Sequence, residues 1–324
     1  MDVGKYRKYL LQLGGPLIIT FAFAVLIAVS WRKWMSILID FGRELYVSWQ
    51  LVEGKILYHD IAYFNGPLSP YINALWFYLF GVSFTSLFIC NLALLWLLTI
   101  IIYYFVLRLS DRLTATMACM VFLVVFAFNH LMFAGNFNFV TPYSHEAVHG
   151  IFSSMVAMAV LSQVFLSQNK MASIIVGLST GAVFLTKPEI FVALSFSLVM
   201  GFVAFGFFPK SDLKHNILNI LLIVISFFLP VLGFFLYFFP YVGAKRAFFN
   251  LMGAWPHIFN TEVVNLAFYK MLSGRDHLWL NMGHMVWGLF LLLLILAAAV
   301  LFNQAMLSAR RRGHPASWVL FCSY

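Results

Sequence analysis

DFGRELYVSWQLVEGKILYHDIAYFNGPLSPYINALWFYLFG, residues 40–81, carries four acids and two bases and lies between two long apolar runs. It cannot cross a bilayer, because a spanning helix needs about 20 consecutive residues that are mostly apolar. Its spacing predicts two short helices. The first runs from about Phe41 to Glu53, with Asp40 able to cap its free N–H groups and Gly54 placed to end it. Leu45, Trp49 and Val52 recur at helical spacing opposite Arg43, Glu44, Ser48 and Glu53, the pattern of a helix lying on a membrane. The second starts at Ser69 with Pro70 as its first helical residue and stops at Gly81. Tyr71, Trp76, Phe77 and Phe80 suit the aromatic belt of an interface, and Tyr58, His59 and Asp60 bring ionisable groups back towards Asp40.

Outward from this stretch, 63% of the 324 residues are hydrophobic and 10% are charged, which excludes a soluble domain of this size. Eight apolar runs read as spans: about 12–31, 84–107, 113–133, 148–167, 171–186, 190–208, 216–239 and 285–306. The expected fold is therefore all-α: a polytopic membrane helix bundle of about eight spans, with interfacial amphipathic helices in the first outer loop. Residues 1–324 are expected to form one membrane domain.

With the N-terminus inside, the inner segments hold 11 of the 20 bases, from Lys5, Arg7 and Lys8 to Arg310, Arg311 and Arg312. Eight of the 11 acids fall outside, which places the chemistry on the outer face. The net charge of +9 is spread by side of the membrane and makes no nucleic-acid footprint. Cys90, Cys119 and Cys322 lie in apolar stretches and imply no disulfide framework. The basic start leads into an apolar run with no small-x-small cleavage site, so it reads as an uncleaved span.

An acid after the first span, a helix, then E-G-x-x-L-Y-x-D-I and G-P-L-x-P-Y before an aromatic helix ending in F-G resembles the first outer loop of GT-C glycosyltransferases. It is most similar to the branch with the lipid A aminoarabinose transferases and the protein O-mannosyltransferases. The resemblance implies a polyprenyl-phosphate-linked sugar donor, a lipid, glycan or protein acceptor, inversion at the anomeric carbon, and a bacterial inner membrane with the active face periplasmic. It also places the family's loop aspartate on Asp40. Where many relatives have a second acid directly after it, this chain has Phe41; Glu44, one helical turn on, could supply that charge. Relatives usually have further spans, and residues 313–324 read as another apolar segment cut short, so the chain is expected to be part of a longer one.

Three constellations could carry chemistry. Asp40 can orient and deprotonate an acceptor if it is close and partly desolvated; the plainer reading is a helix cap, and the two are compatible. His145, Glu146 and His149 form H-E-x-x-H in the loop from Asn136 to Gly150. On a helix the two histidines share a face that could bind zinc for a metalloprotease, which would need a third ligand. Otherwise they form a polar cluster at a helix end, bonded to Tyr143, or help a divalent metal hold a donor phosphate. Thr186-Lys187-Pro188-Glu189 is the third: Lys187 could neutralise a leaving phosphate, or snorkel and pair with Glu189. The loop from about Pro240 to Asn281 offers bases without singling one out. The expected pocket thus has Asp40 as base with Arg43, Glu44, Asp60, Tyr143, His145, Glu146, Lys187 and Glu189 around the substrate. A transporter or flippase for a lipid-linked sugar is the rival from another class, recognisable by ionisable groups at mid-span.

Overall fold

The computed structural model describes residues 3–33, 40–131, 137–167, 169–206, 213–258, 262 and 265–311; for some helical residues, Asp40 among them, only the backbone is described. The helices are α1 (Val3–Ser30), α2 (Asp40–Val52), α3 (Leu68–Phe80), α4 (Phe84–Leu109) and α5 (Arg112–Val121). After α5 come a π-helical turn (Phe122–Ala127) and a 3-10 turn (Asn129–Leu131), then α6 (His145–Leu166), α7 (Lys170–Phe184), α8 (Pro188–Gly206) and α9 (Leu213–Leu251). The rest are α10 (Trp255–Ile258), α11 (Ala267–Leu272) and α12 (Leu278–Arg311). One isolated bridge joins Leu57 to Ile61.

Five helices among the described residues are long and apolar enough to cross a membrane, with cores at Leu13–Ser30, Phe84–Leu109, His145–Phe165, Asn216–Leu251 and Leu278–Ala298. Arg112–Ala127, Lys170–Phe184 and Pro188–Ala204 are apolar but shorter. The outward faces explain the composition: Phe21, Tyr78, Phe196 and Trp279 are all more than 60% exposed. Side chains like these in such numbers suit a lipid surround. A helix satisfies its own backbone there, which is why the apolar runs fold as they do.

The chain packs as two units, residues Met1–Pro256 and His257–Tyr324. In the first, α1, α4, α5 and the π-turn enclose a core around Phe88, Leu95, Cys119 and Phe128. Elements α6, α7 and α8 enclose another around Ala157, Val176 and Leu194. Val47 of α2, with Leu57 and Ile61 of the first loop, packs on Leu185, Phe238 and Leu251. The second unit consists of α11 and the single long helix α12 with their connections.

Helices α2, α6 and α12 open earlier than the sequence expectation, at Asp40, His145 and Leu278, and two further boundaries differ for local reasons. Helix α3 starts at Leu68 and not at Ser69, with Pro67 in the cap position, because the backbone N–H of Leu68 is taken by the carbonyl of Leu185. Pro240 does not end a span: α9 runs through it and breaks only at Gly243, whose φ of 76° leaves the helical region. A proline deletes one helical bond, but its ring fixes a helical φ, so the helix continues past it.

Helices α7 and α9 meet backbone to backbone. A Cβ on Gly177 would lie 2.3 Å from the carbonyl oxygen of Ile223, and one on Gly181 2.4 Å from that of Phe227. Ser173, one turn earlier, donates to Asn219 Oδ1 at 3.1 Å. Small residues four apart permit this approach in a membrane, where packing replaces the hydrophobic drive between helices. Gly177→Leu is therefore expected to cost at least about 1–3 kcal/mol through overpacking. A melt in detergent checks it; unchanged stability would mean that α7 and α9 do not pack this closely.

Candidate functional site

The first loop is tied to the turn between α7 and α8. Gly66 N–H donates to Thr186 O at 3.2 Å and Leu68 N–H to Leu185 O at 3.2 Å. A Cβ on Gly66 would lie 2.1 Å from Leu185 O, so the G-P-L segment needs its glycine for close approach. This docking brings residues of α2, the first loop, the start of α6 and Lys187 to one end of the first unit.

Glu44 is 2% exposed. Its Oε1 accepts from Arg43 Nη2 at 2.7 Å and Nε at 3.3 Å, and its Oε2 lies 3.3 Å from His145 Nδ1. Burial works against its ionisation, yet the facing His145 Nδ1 and the charge of Arg43 outweigh burial and hold its carboxyl below the usual range. Arg43 reaches the surface, its side chain 31% exposed and its guanidinium 5.9 Å from the Tyr63 ring and 5.6 Å from that of Phe64.

Asn91, two turns into α4, completes the chain of contacts. Its Nδ2 donates to Val140 O at 2.9 Å and meets His145 Nε2 at 3.1 Å. A backbone carbonyl can only accept, so the atom facing it is the amide nitrogen, and His145 Nε2 must then accept from the same nitrogen. The His145 proton is thereby placed on Nδ1, facing Glu44.

Glu146 is fully buried and turns the other way. Its Oε1 accepts from the Tyr63 hydroxyl and from Asn65 Nδ2, and its Oε2 from Ser144 Oγ at 2.5 Å. Tyr58 braces the same loop: its hydroxyl donates to Asn65 O at 2.6 Å, and burial pushes its pKa well up. Lys187 Nζ donates to Tyr143 Oη at 3.0 Å and stands 4.9 Å from that ring; among the described residues it makes no ion pair.

Arg43, Glu44, Tyr143, His145, Glu146 and Lys187 are therefore brought to this end of the unit. Asp60 and Glu189 are not. Asp60 accepts from Ile56 N–H at 2.8 Å and meets His59 Nδ1 at 2.8 Å, closing its own turn; that backbone bond, then His59, holds its carboxyl below the usual range. Glu189 is exposed in the first turn of α8, and Lys187 bonds Tyr143 instead of pairing with it. The side chain of Asp40 lies outside the described residues; its backbone opens α2, one turn before Glu44 on the same face. Asn91, Tyr63, Asn65 and Ser144 are partners that the sequence reading missed.

No family model, curated protein or solved structure matches the chain. What its groups can do rests on their own geometry.

The H-E-x-x-H segment does open a helix, with the rings of His145 and His149 5.8 Å apart. As a zinc site it is poorly arranged: His145 is engaged at Glu44 and Asn91, and Glu146 is held by three donors away from the histidines. Among the described residues no three His, Cys, Asp or Glu side chains group as metal ligands. The same groups suit acid–base and anion chemistry, with two buried carboxylates inside and Arg43 and Lys187 towards the rim.

A pH dependence follows from the lowered pKa of Glu44. Its contribution to stability is complete above the ordinary glutamate range and is lost as pH falls through the lowered folded-state value. Wild-type protein should therefore lose more melting temperature on acidification than Glu44→Gln, measured in one detergent; parallel losses would show that the pair does not stabilise the fold.

Proposed function

We propose that this protein is a GT-C-like membrane glycosyltransferase that moves a sugar from a polyprenyl-phosphate donor to an acceptor at the outer face. In this reading all eight apolar helices cross or enter the bilayer of a bacterial inner membrane. The N-terminus is cytoplasmic, and α2 and α3 lie at the periplasmic interface. Asp40 takes the proton of the attacking acceptor atom. The bond from the anomeric carbon to the phosphate oxygen breaks as the bond to the acceptor forms, and polyprenyl phosphate leaves with its charge met by Lys187 or Arg43. The transition state is expected to be oxocarbenium-like by analogy with glycosidases. Glu44, fixed by His145 and Arg43, holds α2 in place beneath Asp40, and Glu146 fixes the Tyr63–Asn65 loop beside it.

One observation carries the proposal: Arg43, Glu44, His145, Glu146 and Lys187, from three separate segments, converge where α6 and α8 begin and α7 ends. Transporters place such groups near the middle of their spans. A cluster at helix ends suits chemistry on a lipid head group. Lipid extracts from cells with wild-type protein and with Asp40→Asn test it. The variant is expected to accumulate polyprenyl-phosphate sugar; equal levels in both would count against the proposal.

A further inference from the structure

Between the π-turn and the start of α6 lies a pocket of about 260 Å³, walled by Phe122, Phe126, Phe137 and Phe139, with Tyr143 and Ser144 at one side. Those last two side chains belong equally to the polar cluster: Tyr143 accepts from Lys187 Nζ at 3.0 Å, and Ser144 donates to Glu146. The apolar cavity and the cation are thus joined through one residue, with Phe137 packed edge-on against Tyr143 at 4.8 Å. The wall at Phe122 and Phe126 belongs to a π-helical turn, a local unwinding that proteins often keep at working sites.

Size and charge together restrict the occupant. Sites for a whole small molecule measure roughly 300–1,000 Å³, so this pocket admits only part of one. Four phenylalanines offer an alkyl or isoprenyl chain contact area and no hydrogen bonds. Among the described residues Lys187 has a hydroxyl partner and no carboxylate at ion-pair distance, so it retains its attraction for an anion.

A larger groove of about 460 Å³ lies along α3 and α4, from Trp76 to Leu97, but no cation lines it. Its Ser83 and Ser86 hydroxyls bond to each other, and Ser86 donates to Phe80 O. That groove can be greasy without recognising a head group.

We propose that the pocket beside the π-turn receives the head-proximal part of the apolar chain of a phosphate-bearing lipid, with Tyr143 and Lys187 at its polar end. This rests on the glycosyltransferase reading and deepens it, by assigning where the donor's chain leaves the site.

The test uses the full chain in lipid nanodiscs and an isoprenyl monophosphate carrying a photoreactive diazirine on its first isoprene unit, with adducts mapped by mass spectrometry. Adducts are expected within residues 122–126 and 137–151. They should disappear in Ala147→Phe, which fills the pocket, and persist in Phe126→Ala, which widens it. Lys187→Ala should lower labelling on the order of tenfold, the loss expected for one charge-assisted contact. Unlabelled isoprenyl phosphate should compete, whereas the isoprenyl alcohol and inorganic phosphate should not.

Adducts spread evenly over α1, α4 and α12, indifference to Ala147→Phe, or equal competition by the alcohol would each overturn the proposal. Should Ala147→Phe fail to give monodisperse protein, the competition arms and Lys187→Ala still decide. Binding is read without any sugar, so labelled protein that transfers nothing would reject the enzyme and keep the pocket. Transfer without pocket adducts would do the reverse.

Discussion

Glu44→Ala is expected to destabilise the protein by about 1–3 kcal/mol, the loss typical when a buried polar group is left without its partner. The carboxylate is 2% exposed and holds both Arg43 and His145. Arg43 can turn to water, since its side chain is already 31% exposed. His145 cannot: it is fully buried, its Nε2 engaged by Asn91, so the Nδ1 proton would be left facing a void. Glu44→Gln keeps the shape and an acceptor and should cost less. Asp60→Ala is the control, since its carboxylate serves an exposed turn and its loss should change stability only slightly. Melts of the three variants in one detergent check the order. A Glu44→Ala protein no less stable than Asp60→Ala would show that the pair does not hold α2 to α6.

Much of this arrangement was legible in the sequence, for reasons that can be named. Apolar run length fixed the helical class, because lipid leaves the backbone few other ways to satisfy its polar groups. Gly54 and Gly81 marked helix ends because both adopt positive φ, 86° and 85°. H-E-x-x-H reads as part of a loop before a span starting near residue 148, with a helix there only as a condition, and α6 in fact begins at His145.

What each acid does was not legible. Glu44, Asp60, Glu146 and Glu189 look alike along the chain, yet two are buried and two are exposed. Asp60 is satisfied by a backbone N–H four residues away, so nothing draws it inward. Besides Ser144, two positions before it, the partners of Glu146 are residues 81 and 83 positions away, separations no local pattern encodes. Asn91 did leave a trace. A lone amide inside a run as apolar as Phe84–Leu109 must find a partner, a signal that could have found this contact though the sequence reading passed over it. The break of α5 into a π-turn left none, since Phe122–Ala127 reads as ordinary apolar helix.

Asp40→Asn should leave the fold intact and remove the chemistry. In the proposed mechanism the carboxylate accepts a proton from the acceptor, and loss of such a base typically costs 10²–10⁴ in rate. Asparagine matches aspartate in size and polarity at the first residue of α2, so α2 should still form. The cap reading and the base reading therefore separate cleanly: the first predicts near-normal turnover in this variant, the second almost none. Glu44→Gln should fall between them, because it loosens the helix that carries Asp40 without removing the base.

The most direct measurement is transfer by purified protein in nanodiscs, with a polyprenyl-phosphate sugar labelled in the sugar and with outer-membrane lipid, glycan or peptide as acceptor. We expect wild type to release polyprenyl phosphate together with labelled acceptor, and Asp40→Asn, folded and equally stable, to release about a hundredth or less. Turnover by Asp40→Asn within about twofold of wild type would contradict the account.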